Sequence, residues 1–502
     1  MMEPREAAEV IMIRVDADYW SNSTYRDGIF EAVDAGIGGI GVFLGTLDET
    51  QAMIEALQFR AGGRLLVGAD YEYGLAMRLR GAVAFPRAMA LGQGDPSDTA
   101  SVSAAIAQQC RALGVHWNWA PVCDVNSNPL NPIVNTRSFG ESPQHVAPHI
   151  RAWVKGAKAH NVLSCAKHVP GHGDTTVDSH IGLPILEIDE ATANSREFVP
   201  FKEAIAEGVS SLMMGHLIVP FLDPVRPASL SPKVVQDLVR TTWGFDGLVT
   251  TDALDMGAIT TNFSPYDAAR AAFLAGNDVL LLPEDWKQAI QAVTDACMED
   301  ESGASLLARA RRRIQAARKT AGVGRRSHVP PVPQQEHAML ALRVASNAIT
   351  VRGREDLVDL SRYRHAAAFA VIDERDGDTA TEFFRYLVQS VEMNIDVAFI
   401  DGTLSGEDLQ AMVDGVKEAD VILFAFFGRA VAHRGGLPGM ESVPNIMRRL
   451  AEGRPSIVLA CGSPYGMESL PADAIVYSYS DTAPSLGAMA LRCAGRSHSP
   501  ET

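Results

Sequence analysis

The chain has 502 residues, 47% hydrophobic, 21% charged and 7% aromatic, which is the make-up of a globular protein of two or three domains and excludes a disordered or fibrous chain. Lys and Arg total 44 against 61 Asp and Glu, so the formal charge of −17 repels nucleic acid and anionic lipid, with no basic patch to offset it. Residues Met1–Glu6 lack a basic start and an apolar h-region, and no apolar run reaches the roughly 18 residues of a membrane span, so the expected location is cytoplasmic with no membrane partner.

Short β-rich runs recur at Val10–Val15, Ile37–Phe43, Leu65–Val67, Val115–Trp119, Val162–Ala166, Ser210–Met214, Gly247–Thr251 and Asp278–Leu282. Amphipathic stretches lie between most of them: Asp48–Phe59, Thr99–Leu113, Gln144–Asn161, Asp189–Gly208, Ser231–Thr242 and Tyr266–Gly276. Eight βα units within residues 1–320 predict a TIM-like (β/α)8 barrel, with a doubly wound open sheet as the alternative. Residues 321–336, AGVGRRSHVPPVPQQE, crowd Gly, Pro and polar side chains and read as a linker. Beyond it, Ala366–Ile372, Val397–Ile400, Val421–Phe427, Ser456–Cys461 and Ala474–Tyr477 alternate with helical stretches, which predicts a smaller α/β sandwich domain over residues 337–502. Arg429, His433 and Arg434, near Gly435-Gly436, form a basic loop in that second domain.

Six cysteines without CxxC spacing point to reduced, buried thiols. The stretch Gly36-Ile37-Gly38-Gly39-Ile40-Gly41 satisfies G-x-G-x-x-G, but a helix precedes it and a strand follows, the reverse of a pyrophosphate site, so it reads as a tightly packed helix-to-strand loop.

The densest polar cluster runs from Cys165 to His180, CAKHVPGHGDTTVDSH. It leaves the end of a predicted strand, where Pro170, Gly171 and Gly173 forbid regular structure, and on a barrel that end carries the active-site loops. His168, His172, Asp174 and His180 include metal-ligand types, yet match no established ligand spacing. The competing reading is acid–base chemistry: Asp178 and His180, two residues apart in an extended loop, can project to one side and hydrogen-bond, which fixes the imidazole tautomer and raises its pKa. Asp252, ending the run Leu248–Thr251, and Asp70, ending Leu65–Ala69, each sit where a barrel strand points a carboxylate at the mouth, although helix capping would also account for either.

The string Lys167-His168-Val169-Pro170-Gly171-His172-Gly173-Asp174, continuing to Asp178-Ser179-His180, closely resembles the signature of the β-N-acetylglucosaminidase branch of glycoside hydrolase family 3. Asp70 with Glu72 and Gly74, Arg78, Ala120-Pro121-Val122 leading to Asp124-Val125, Arg137-Ser138-Phe139-Gly140 and Thr251–Met256 fall in that family's order. The resemblance covers roughly residues 10–320 and is weak beyond them. It implies a retaining exo-β-N-acetylglucosaminidase acting on small glycosides such as muropeptide or chitin fragments, hence a place in carbohydrate metabolism and cell wall recycling. In it Asp252 is the nucleophile, His180 the general acid/base polarised by Asp178, and Asp70, Arg78, Arg137, Lys167 and His168 hold the sugar. It implies no cofactor and no metal. Because a neutral imidazole does not repel an anion as a carboxylate base would, phosphorolysis by the same residues is an alternative. A catalytically silent sugar-binding protein and a metal-dependent barrel hydrolase are readings from other classes.

Two departures from the family pattern bear on substrate reach. Tyr71 and Tyr73 stand where small residues are usual, which predicts bulky rings on a pocket wall, and Gly215-His216 replaces the commoner Ala-His. His216 either lines the pocket or is a hydrogen-bonded core histidine.

Overall fold

The computed structural model describes residues 3–324, 332–372, 377–400, 406–428 and 442–496, so Arg429, His433 and Arg434 lie outside the described residues. One compact unit comprises Met1–Val83, Thr99–Asn128 and Gly140–Gln334. Its strands are β1 (Ile11–Val15), β2 (Gly39–Val42), β3 (Leu66–Ala69), β4 (Trp117–Asn118), β5 (Leu163–Val169), β6 (Ser211–Met214), β7 (Leu248–Thr251) and β8 (Leu280–Leu281). From β1 to β7 each pairs in parallel with the next, β8 pairs back onto β1, and a Thr250–Val279 bridge joins β7 to the chain entering β8. The sheet is thus a nearly closed eight-stranded parallel barrel, as the run of βα units predicts.

The strands are short and almost wholly apolar because side chains fill the inside and helices cover the outside. Gly41 and Gly68 are required by the filling: a Cβ at either would stand 2.7 Å from ring atoms of Trp119. The helices between strands start and stop at local signals. Thr46 and Glu49 form a capping box for Leu47–Arg60, and Ser264 opens Pro265–Ala275, which closes at Gly276 with φ of 102°. The glycine run at 36–41 is a helix-to-strand connection, where a Cβ at Gly38 would meet the Glu9 carbonyl oxygen at 1.9 Å.

The second unit comprises Ala84–Asp98, Pro129–Phe139 and Gln335–Thr502, so two excursions from the first part of the sequence belong to it. Its strands are β9 (Thr350–Gly353), β10 (His365–Val371), β11 (Asn394–Ile400), β12 (Val421–Gly428), β13 (Ser456–Gly462) and β14 (Ala474–Tyr477). They lie in the order β9-β14-β13-β12-β10-β11, parallel throughout except for the antiparallel β9–β14 pair. One face packs Phe383, Phe384 and Leu387 of Gly377–Ser390 and Leu486 and Met489 of Ala483–Cys493; the other packs Ile446, Met447 and Leu450 of Val443–Leu450. Two apolar faces covered by helices make the α/β sandwich. All six cysteines are buried and unpaired, and no helix among the described residues is long and apolar enough to cross a membrane.

Candidate active site

The polar residues singled out in the first unit gather at the C-terminal ends of the barrel strands. Lys167 and His168 are the last polar positions of β5, Asp70 follows β3, and Asp252 follows β7. Lys167 is buried and donates from Nζ to Asp70 Oδ1 at 2.6 Å, with Glu72 Oε1 at 2.8 Å. Arg78 donates from Nη2 to the other Asp70 oxygen at 3.2 Å and lays its guanidinium over the Phe43 ring, 4.9 Å from its centre. Two carboxylates around one buried ammonium give it the partners that an isolated buried cation would lack.

Asp124, wholly buried, organises the start of the loop. Its Oδ1 accepts from the backbone N–H of His168 at 3.2 Å and of His172 at 2.8 Å, and its Oδ2 lies 2.7 Å from His168 Nδ1. Farther along, the Thr175 hydroxyl donates to the His172 carbonyl oxygen at 3.1 Å, so it accepts from His172 Nδ1 at 2.6 Å. His172 Nε2 is then the acceptor for Ser179 Oγ at 3.3 Å, and burial pushes this ring down to a pKa of about 4. Both nitrogens of His172 are therefore committed within the loop. No group of three or more His, Cys, Asp or Glu among the described residues is arranged to hold a metal ion.

At the loop's end, Asp178 Oδ1 accepts from His180 Nδ1 at 2.8 Å and from the His180 amide at 2.9 Å. The pair arises from a turn and not from an extended stretch, because the amides of Ile181 and Gly182 also fold back onto the Asp178 carbonyl oxygen. Burial acts to raise the Asp178 carboxyl, but the hydrogen bonds from His180 outweigh it and hold the group below its ordinary range. Nδ1 donating to this carboxylate fixes the tautomer of a ring whose side chain is 61% exposed.

The loop is fastened to the Asp252 segment. Ala258 N–H donates to the Ser179 carbonyl oxygen at 3.0 Å, and a Cβ on Gly257 would stand 2.4 Å from the carbonyl oxygen of His180. Asp252 takes one hydrogen bond on Oδ1, from the Ala253 amide at 2.8 Å. Burial works against its charge; the positive fields of His168 and His216, the Ala253 hydrogen bond and Lys167 together prevail and keep the carboxyl below its usual value. His216 is buried, with Nε2 2.8 Å from the Ala253 carbonyl oxygen and Nδ1 2.7 Å from Ser229 Oγ. A carbonyl only accepts, so Nε2 carries the proton and the ring is a clamp on the residue after Asp252. Gly215 leaves room for this arrangement, since a Cβ there would lie 2.6 Å from Leu217 Cδ2 and 3.2 Å from His168 Cβ.

The pocket-wall expectation for Tyr71 is corrected: its ring is wholly buried, its amide donates to Asn118 Oδ1 at 3.0 Å and its carbonyl accepts from Asn118 Nδ2 at 3.1 Å, so only the half-buried Tyr73 retains surface. Arg137 ends the short helix Asn135–Arg137 in the second unit, where its Nη1 donates to the Ile133 carbonyl oxygen at 3.1 Å. Asp124 has no task assigned from its sequence context, although an Asp in the apolar stretch APVCDV must find donors when buried, which is the available signal.

Residues 22–317 match the family described as glycosyl hydrolase family 3 N terminal domain. Beta-hexosaminidase A of Pseudoalteromonas piscicida is 38% identical over 274 residues, 49% of this chain and 46% of that protein. A beta-hexosaminidase of Stenotrophomonas maltophilia (strain R551-3) is 34% identical over 208 residues, 41% of this chain and 61% of that one. The chain thus spans less than two thirds of these relatives' length. Among solved structures, a family 3 beta-N-acetylglucosaminidase from Paenibacillus sp. str. FPU-7 superposes with a TM-score of 0.85 at 25% identity, covering 99% of this chain and 97% of that one. With its barrel, its strand-end carboxylates and this match over more than half its length, the chain belongs to glycosyl hydrolase family 3.

Proposed function

We propose that the protein is a retaining exo-β-N-acetylglucosaminidase that removes terminal β-linked GlcNAc from small glycosides, muropeptide or chitin fragments among them. The observation that carries this reading is the Asp178–His180 pair on a loop tied, through Ala258 and Ser179, to the strand end bearing Asp252. The names of the relatives, beta-hexosaminidase and beta-N-acetylglucosaminidase, support the substrate class.

Asp252, ionised, attacks the anomeric carbon while His180 gives the proton on Nε2 to the leaving oxygen. The bond from anomeric carbon to aglycone breaks, and a glycosyl ester with Asp252 forms. His180, now neutral, takes a proton from water as the water attacks the same carbon and releases Asp252. Asp178 stabilises the imidazolium and keeps Nε2 directed outward; proton transfers of this kind contribute about 10²–10⁴-fold. Asp70, Arg78, Lys167 and His168 hold the hydroxyls and the acetamido group. Six unpaired, buried thiols support a reducing, cytoplasmic setting.

An imidazole base also admits an anionic acceptor, which favours phosphate as a competitor of water. Incubating an aryl β-N-acetylglucosaminide with and without inorganic phosphate, followed by mass analysis, tests both readings. Free GlcNAc is expected in either buffer; a sugar 1-phosphate appearing only with phosphate assigns phosphorolysis, and no turnover in either buffer overturns the enzymatic reading.

A further inference from the structure

The helical stretch after the 167–180 loop contains one wide turn. Glu190–Thr192 starts it, Ala193–Glu197 winds as a π-helix, and Phe198–Ala206 continues as an α-helix. Such turns recur at functional sites. Here the last two residues of the wide turn are Arg196 and Glu197. Arg196 donates from Nη2 to Asp174 Oδ2 at 2.6 Å and from Nε to Glu197 Oε1 at 2.6 Å. Glu197 is wholly buried, and its Oε2 has no hydrogen-bond partner. That oxygen lies against Gly171, where a Cβ would stand 2.7 Å from it and where φ is +132°, a conformation that side chains rarely adopt.

Asp174 and Gly171 lie on the loop that ends in Asp178 and His180. The same loop is also held by Asp124, through the His168 and His172 amides, and by Val125, whose carbonyl oxygen would be 1.7 Å from a Cβ on Gly173. The loop is therefore held by two sets of contacts, and the one made by Arg196 and Glu197 touches none of the groups assigned to the sugar.

We propose that Arg196 and Glu197 are positioning residues for the acid/base loop, the arginine tying Asp174 to the helix and the glutamate setting the level of Gly171, so that His180 meets the leaving oxygen. The inference rests on His180 being the general acid. A buried carboxylate with one bare oxygen is tolerated here only because the guanidinium is beside it, so the two act as one unit. Burial, with Asp124 and Asp174 facing the same carboxyl, raises Glu197 to a pKa of about 7 against the opposing pull of Arg196.

The test measures kcat and KM on two β-N-acetylglucosaminides: a nitrophenyl glycoside, whose leaving group needs little protonation, and the GlcNAc disaccharide, whose alcohol leaving group needs it fully. Arg196→Ala is expected to lower kcat on the disaccharide about ten-fold more than on the nitrophenyl glycoside, with KM changed by no more than about three-fold. Arg196→Lys is expected to recover part of the loss, and Glu197→Gln, which keeps the volume, to shift the ratio the same way by less. In a His180→Ala background Arg196→Ala is expected to leave the ratio unchanged. Equal losses on both substrates, with the unfolding temperature falling, overturn the proposal and leave Arg196 a structural residue. Should Arg196→Ala fail to fold, the ratio for Glu197→Gln decides alone. If His180→Ala itself does not discriminate between the substrates, the acid assignment falls and this inference with it; if it does and the Arg196 and Glu197 variants do not, only this inference falls.

Discussion

Ala258 donates its backbone N–H to the carbonyl oxygen of Ser179 at 3.0 Å, and through that bond the loop bearing His180 shares a frame with the strand end bearing Asp252. Gly257, beside it, admits the His180 peptide only because it has no Cβ. Gly257→Ala is expected to push the loop away and to lower kcat on alcohol-leaving substrates by about 10–10²-fold, with a smaller effect on activated aryl glycosides, as steady-state kinetics on both will record.

Replacing Asp252 by Asn should abolish turnover; more than about a tenth of the activity remaining would remove it as nucleophile. Asp252→Gly should regain activity with azide and release a glycosyl azide of inverted anomeric configuration, detectable by NMR. Because the Asp252 carboxyl is held below its ordinary 3.8, it stays ionised down to that pH, and any loss of kcat/KM between pH 7 and 4 is expected to persist in variants that alter its surroundings but spare His180.

Removing the Lys167 ammonium takes away the cation that Asp70 and Glu72 share, while Arg78 still reaches Asp70. Lys167→Ala is expected to destabilise the fold by about 3–5 kcal/mol, measured by urea unfolding, and to weaken sugar binding. Adding Glu72→Gln to it should return part of the stability while sugar binding stays weak.

Glu197 links stability to pH. The folded protein keeps its proton up to about 7 and the unfolded chain only to 4.5, so the stabilisation from that proton is complete below 4.5 and is lost as pH rises to 7. The stability difference between wild type and Glu197→Gln should therefore fall by roughly 2–3 kcal/mol over that range. Buried His116 and His172 act in the opposite sense: their folded pKa values of about 4 lie below 6.5, so stability is lost as pH falls from 6.5 toward 4. Chemical unfolding at several pH values, compared between the two proteins, separates these contributions.

The barrel was legible because its strands are buried on both faces and so read as unbroken apolar runs, even when only Trp117–Asn118 or Leu280–Leu281 ladders regularly. Strand β9 went unseen: Thr350–Gly353 is short, polar and half exposed, and it forms only because β14 offers an open edge. The Asp178–His180 pair was legible from its spacing, whereas the inward course of Tyr71 depends on a distant partner, Asn118. The same limit hid the task of Asp124, whose partners His168 and His172 lie far along the chain, and the approach of Glu197 to Gly171, which no local pattern reports.

The excursions Ala84–Asp98 and Pro129–Phe139 bear on the order in which the chain can finish folding. The Phe85 ring lies 6.1 Å from that of His337, and Arg87 bonds Ser480 and pairs with Asp481. At ribosomal speeds of about 5–20 residues per second, tens of seconds separate the synthesis of Arg87 from that of Asp481. Through that interval Phe85 and Arg87 lack these neighbours, so a nascent chain stalled near residue 320 offers chaperones groups that the finished protein has paired.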